Sequence, residues 1–179
     1  MDNKIAFQHD NILPNFDLLL PHLNKIKLHS PKEHNIPNNS WPGKRSFELS
    51  ATEPFLFYLV MKSIQDLELP FLSSNIEVEM YMHLREKKDS IKDWIHRDSM
   101  PNTKGFAPHF SGLIYLNQTD TTSGTYLYDE QENMTTDFKY VQNRLCLFSS
   151  AYLHKGYGHF GNSSQNGRTT LNIFIRNAS

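Results

Sequence analysis

The chain has 179 residues, enough for one domain with a substantial core, and its formal net charge of -1 with no Lys/Arg run argues against a nucleic-acid footprint. The apolar share of 38% is that of a soluble protein, and the longest apolar stretches, residues 16–20 and 55–61, are far too short to span a bilayer. Cys146 is the only cysteine, which excludes a disulfide framework and an all-cysteine metal site; no apolar segment with a cleavage site follows Met1, so a cytoplasmic protein without membrane attachment is expected.

Taken in chain order, residues 1–70 read as helical. Residues 16–27 are a helix candidate interrupted by Pro21. Residues 53–67 form a stronger one: Ser50 or Thr52 can cap it, Pro54 stands in the first turn where its missing N–H costs nothing, and Leu56, Leu59, Val60 and Ile64 make one apolar stripe. Residues 31–42, rich in Pro, Asn and His, read as a loop.

After Pro70 the pattern changes to period two. Ile76, Val78, Met80, Met82 and Leu84 alternate with Glu77, Glu79, Tyr81, His83 and Arg85, which predicts a strand with two different faces. Further strands are expected over 110–116, 125–129, 138–141, 144–148 and 169–175, separated by clusters of Asn, Asp, Ser, Thr and Gly. Helices first and many short strands after predict one α+β domain, mainly β. A β-sandwich or jelly roll over 71–179 would carry the site, with the helices of 1–70 packed on one outer face.

His96-Arg97-Asp98, a distant second histidine and then Arg168 are the most informative residues. In an extended segment, residues i and i+2 point to the same side, so His96 and Asp98 can both face inward. Two imidazoles and one carboxylate fill one face of an octahedral metal and leave the other open for chemistry, the pattern of a non-haem iron site. Two histidines compete for the third position. His154 is preferred because it follows the apolar strand Leu145-Cys146-Leu147-Phe148 after a short bend; His159 lies nearer Arg168, and His109 is a weaker candidate.

Arg168 and Thr170 share one face of the last strand, where a guanidinium fork beside a hydroxyl suits a carboxylate. Tyr115 can add a phenol donor from a neighbouring strand. Tyr81, His83, Trp94, Arg97 and Lys104 are candidate substrate contacts, whereas Arg144 and Lys155 read as surface charges.

These residues resemble the iron(II)- and 2-oxoglutarate-dependent oxygenases, in particular the prolyl-4-hydroxylase-like branch and its small phage and marine bacterial members. The resemblance covers about residues 76 to 176. It is carried by Trp94-Ile95-His96-Arg97-Asp98, Gly112-Leu113-Ile114-Tyr115-Leu116-Asn117, Ser123-Gly124-Thr125-Tyr126-Leu127-Tyr128, Asn143-Arg144-Leu145-Cys146-Leu147-Phe148, Leu153-His154-Lys155-Gly156 and Gly167-Arg168-Thr169-Thr170-Leu171. It extends to Asp10-Asn11-Ile12-Leu13-Pro14 and Trp41-Pro42-Gly43-Lys44-Arg45-Ser46.

The resemblance implies a double-stranded β-helix (jelly roll, cupin-like). It implies iron(II) on His96, Asp98 and His154. It also implies 2-oxoglutarate paired with Arg168 and, from different branches, with Tyr115 or Thr170. The implied reaction uses O2, with ascorbate as a further cofactor, and hydroxylates an unactivated C–H bond while 2-oxoglutarate becomes succinate. The substrate would be a protein or peptide residue, an amino acid or a small metabolite.

Three other functions fit parts of the pattern, one of them a metal-dependent hydrolase or cupin-type dioxygenase that uses the same ligands without 2-oxoglutarate. A nucleic-acid demethylase of the same superfamily would need a second arginine after Arg168, and Arg176 matches that spacing inexactly. A non-enzymatic jelly-roll binding module would keep the strands and need no metal.

Overall fold

The computed structural model describes residues 5–35, 41–89, 93–102 and 105–178. Its elements run β1 (Ala6–His9), α1 (Phe16–Leu23), β2 (Lys44–Arg45), α2 (Leu49–Thr52), α3 (Pro54–Gln65), β3 (Ile76–Arg85), β4 (Phe110–Tyr115), β5 (Asp120–Tyr128), β6 (Met134–Tyr140), β7 (Leu145–Ser149), β8 (Leu153–Tyr157) and β9 (Arg168–Asn177). A six-stranded sheet in the order β1-β7-β4-β9-β3-β2 faces a three-stranded sheet in the order β6-β5-β8, with every pairing antiparallel. This is the expected double-stranded β-helix. No described helix is long and apolar enough to cross a membrane.

Period-two alternation sorts the large sheet into two faces. Met80 and Met82 of β3, Ile114 of β4, Leu145 and Leu147 of β7, and Leu171 and Ile173 of β9 point outward. There they meet Leu13, Phe16, Leu23, Leu49, Leu56, Val60 and Ile64 of the N-terminal segment in one buried cluster. The opposite face looks into the space between the sheets. At one end of that space Tyr115, Cys146 and Phe148 pack on Leu127, Phe138 and Tyr140 of the small sheet. At the other end the inward residues are polar, and there the site lies.

The N-terminal region departs from its helical reading. It contributes β1 and β2 as the two edge strands of the large sheet, and both are too short for periodicity to show. α1 stops at Leu23, two residues beyond Pro21, although Pro21 lies within it. Ser50 and Thr52 do not cap α3. They belong to α2, whose N-cap is Glu48: its carboxylate accepts from Ser50 N, and the Thr52 hydroxyl donates to Glu48 O at 3.1 Å. Glu53 is the N-cap of α3 without a side-chain cap, and Pro54 takes the first helical position as expected. β8 covers Leu153–Tyr157, where the sequence showed only a bend before His154.

Asn143 fastens this N-terminal layer to the barrel. It holds φ 58° in the turn between β6 and β7, accepts from Leu13 N at 2.9 Å and donates Nδ2 to Leu13 O at 2.9 Å. Leu13 is 2% exposed, so neither of its groups has water as an alternative. Asn143→Ala leaves both unpaired and puts a residue with no local polar compensation at positive φ. We expect a loss of about 2–4 kcal/mol, from two orphaned buried groups, read as a lowered denaturant midpoint with an unchanged m-value.

Candidate metal centre

His96 lies in an irregular segment and His154 at the second position of β8. One antiparallel bridge joins them: His96 N donates to His154 O at 3.1 Å, and His154 N donates to His96 O at 2.9 Å. Asp98 N then donates to Ser150 O at 3.2 Å, which holds the i+2 residue on the same side. The ligand atoms of His96, Asp98 and His154 all lie within 4.8 Å of one another, and they form the one such group among the described residues. His96 Nε2 is 3.7 Å and His154 Nε2 3.3 Å from the Asp98 carboxylate.

The outer nitrogens settle the tautomers. His96 Nδ1 donates to Trp94 O at 2.9 Å and His154 Nδ1 to Tyr152 O at 3.2 Å, each within its own chain segment. Both Nε2 lone pairs are thereby aimed at the common centre, as a metal requires. Burial alone would raise the Asp98 carboxyl, but His154, His96 and the Ser111 hydroxyl outweigh it and hold it at about 2. Burial opposes the charged form of His154, yet Asp98 wins and raises it above the ordinary 6.5. Burial, with His154 beside it, pushes His96 down.

His159, the competing third ligand, is engaged elsewhere. Its Nε2 lies 3.2 Å from both the Asp93 carboxylate and the Arg85 guanidinium. Asp93 is also 3.2 Å from Arg85 Nε. Burial would raise Asp93, but His159, Arg85 and Arg168 hold its carboxyl below the ordinary range. His109 accepts from Asn177 N at the far end of β9 and takes no part in the centre.

A cavity of about 230 Å³ runs from the triad to Arg168. Arg168 is 5% exposed; its Nη2 donates to Gly124 O at 2.9 Å and Thr125 Oγ1 at 3.3 Å, while its buried Nε has no hydrogen-bond partner. Thr170 lines the same cavity and donates its hydroxyl to Asn172 Oδ1 at 2.6 Å. Gly156 of β8 lies against Arg168, and a Cβ there would come within 2.7 Å of Asp93 Oδ2 and 3.2 Å of Arg168 Nη2. Tyr115 does not line the cavity. Its hydroxyl donates to Phe138 O and accepts from the Thr125 hydroxyl, both at 3.0 Å, so it stands behind Arg168.

Of the candidate substrate contacts, Tyr81, His83, Trp94 and Arg97 line this cavity or the chamber outside it, and Arg97 pairs with Glu130. Lys104 lies outside the described residues. Arg144, read as a surface charge, instead holds Asp10 through Nη2 at 2.9 Å. Arg176 pairs with Glu77 on the sheet edge. Sequence reading passed over Asp93 and gave Arg85 and Arg45 no role at the site, because single charged residues carry no such signal until the strands bring them together.

No protein-family profile and no curated protein sequence matches this chain. Solved structures do. A prolyl-4-hydroxylase from Pseudomonas putida is 16% identical at a TM-score of 0.58, with 99% of this chain and 95% of that one covered. HygX from Streptomyces hygroscopicus, solved with nickel and 2-oxoglutarate bound, is 12% identical at a TM-score of 0.65, covering 97% and 84%. An oxidoreductase of the 2-oxoglutarate–iron(II) oxygenase family from Burkholderia pseudomallei is 12% identical at 0.61, covering 98% and 86%. The chain therefore has the double-stranded β-helix fold of the 2-oxoglutarate–iron(II) oxygenases, prolyl-4-hydroxylases among them.

Proposed function

We propose that this chain is an iron(II)- and 2-oxoglutarate-dependent dioxygenase that hydroxylates an unactivated C–H bond of an amino acid, a peptide residue or a related small molecule. The observation that carries this reading is one cavity with two ends: three convergent ligands at one, a buried guanidinium with an unpartnered Nε at the other. The donor set fits a late divalent ion, with two neutral imidazoles and one carboxylate charged at all working pH values. When bound, iron(II) with 2-oxoglutarate supplies the redox chemistry that couples O2 to C–H hydroxylation and succinate formation.

The residues of the chain do the rest. His96, Asp98 and His154 hold one face and leave the cavity side open. Arg168 offers Nε to a far carboxylate, and the Thr170 hydroxyl on the same strand face can turn from Asn172 to the same group. Tyr115 and Thr125 fix the guanidinium from behind, so the role assigned to Tyr115 is positioning rather than contact. Leu113, Phe148 and Phe174 on the cavity wall limit water.

Three outcomes are expected. Protein loaded anaerobically with iron(II) and exposed to air forms succinate from 2-oxoglutarate without any added substrate. His96→Ala abolishes this, and Arg168→Gln raises the 2-oxoglutarate requirement at least tenfold, on the order of a lost charge-assisted pair. No turnover in the wild type, together with no iron or 2-oxoglutarate binding, would sink the reading.

Metal binding has a defined pH sign. The proton that Mn(II) must displace from His154 is held above the ordinary value, whereas His96 loses its proton earlier and Asp98 is already charged. Affinity measured by calorimetry should fall on acidifying through the raised His154 value, above the ordinary imidazole range, and approach roughly tenfold per pH unit, the slope of one competing proton. A flat profile there contradicts the assignment of His154.

Gly156→Ala crowds Asp93 and Arg168 but no ligand. The 2-oxoglutarate affinity should drop about tenfold or more while Mn(II) affinity holds. Equal loss of both would place Gly156 in the metal centre instead.

A further inference from the structure

Arg45 carries a charge that the metal centre does not use. It closes β2, in register with His83 of β3, two residues after a turn at Gly43 that only φ 82° can make. At Gly43 a Cβ would meet Leu84 O at 2.2 Å, so the turn needs glycine. Arg45 Nε is buried without a hydrogen-bond partner, and the guanidinium has no ion pair among the described residues.

Its neighbours are differently placed. Arg85 is held by Asp89 and Asp93, Arg97 by Glu130 and Arg176 by Glu77. Trp41 and Tyr81 cover Arg45, their ring centres 4.7 and 5.6 Å from its Cζ. Aromatic faces stabilise the cation, but they cannot accept its in-plane N–H groups. Burial pulls the guanidinium down to about 10, against the pull of Asp98 and Tyr81. A half-buried cation with a buried, unpaired Nε is a group that a ligand anion can complete.

Its place in the cavity system says which partner. The metal cavity and a larger outer chamber of about 840 Å³ share four lining residues, Trp41, Arg45, Asp98 and Phe174. Arg45 thus stands at the passage between them, beside a metal ligand. The chamber beyond is walled by Phe47, Tyr81, Met100, Pro101 and Phe106, and its size is that of a small-molecule site. Two of its three carboxylates, those of Glu79 and Glu48, are already in use. Glu79 accepts from the Tyr81 hydroxyl and Asn102 Nδ2, and Glu48 accepts from Ser50 N and Met80 N. Asp98 is the carboxylate that acts on the guanidinium, and the single guanidinium fork matches one carboxylate of a ligand.

We propose that Arg45 is the substrate anchor and that the primary substrate is a small carboxylic acid. Its carboxylate pairs with the Arg45 fork, and its apolar body lies on Trp41 and Tyr81. The C–H bonds next to the carboxylate are thereby presented to the His96–Asp98–His154 centre. What happens at those bonds rests on the oxygenase reading; the binding itself does not.

The test uses benzoate and benzamide, which share a shape and differ in charge. Both are titrated calorimetrically into Zn(II)-loaded protein saturated with 2-oxoglutarate, which occupies Arg168, using wild type, Arg45→Gln and Arg45→Lys. Benzoate should bind saturably and at least tenfold more tightly than benzamide, a charge-assisted fork against a neutral contact. Arg45→Gln should erase that preference, and Arg45→Lys should keep part of it. Equal binding of the two compounds, no saturable benzoate binding, or an undiminished preference in Arg45→Gln would overturn the assignment. If Arg45→Gln does not fold, the wild-type and Arg45→Lys comparisons decide. If 2-oxoglutarate itself fails to bind, the oxygenase reading falls, and the same benzoate comparison without it still judges Arg45.

Discussion

Two main-chain hydrogen bonds between His96 and His154 are the constraint on which the candidate centre depends. His96 lies in a segment without regular structure, where Nδ1 bonds Trp94 O but no strand of its own sets the backbone direction. The bridge to β8 gives that segment the direction of a strand, which makes the i, i+2 geometry of His96 and Asp98 real. β8 is in turn fixed on β5 from Leu153 to Tyr157, so the ligand geometry is inherited from the small sheet rather than built locally. Main-chain bonds suit this task because they carry no rotamer freedom.

The second constraint is charge. The inward face of β3 and β9 presents Tyr81, His83, Arg85, Arg168, Thr170 and Asn172 to the space between the sheets. Such a face is tolerable only if each group finds a partner. Asp93 joins His159 and Arg85 on one side, and Gly124 and Thr125 receive Arg168 on the other. Four buried nitrogens lack a hydrogen-bond partner among the described residues: Arg85 Nε, which lies 3.2 Å from Asp93, His159 Nδ1, and the Nε atoms of Arg168 and Arg45, the last two in adjoining cavities. The proposed co-substrate would complete the pairing of Arg168, and the proposed substrate that of Arg45.

Much of the fold was legible because the apolar half of each strand repeats at period two. Met80, Met82 and Leu84, or Leu171, Ile173 and Ile175, announce a buried face whatever covers it. The polar half is where reading fails, since a strand residue such as His83 or Arg85 is normally expected in water. Here the polar half faces the barrel interior, and the apolar half faces the helices. β1 and β2 were illegible for another reason: four and two residues are too few to show a period, and their place is set by the edges they complete.

The candidate site divides along the same line. Residue chemistry alone determined which side chains could bind a divalent metal and a carboxylate, because imidazole, carboxylate and guanidinium have those affinities in any fold. It determined too that His96 and Asp98 could share a side. The β8 register turns His154 inward beside His96 and leaves His159 beyond the strand, against Asp93. That Tyr115 stands behind Arg168 rather than beside it, and that Arg45 reaches the passage to the centre, were likewise decided only when two sheets closed around one space. Sequence specifies what each side chain can bind; distance between residues far apart in the chain exists only in the folded barrel.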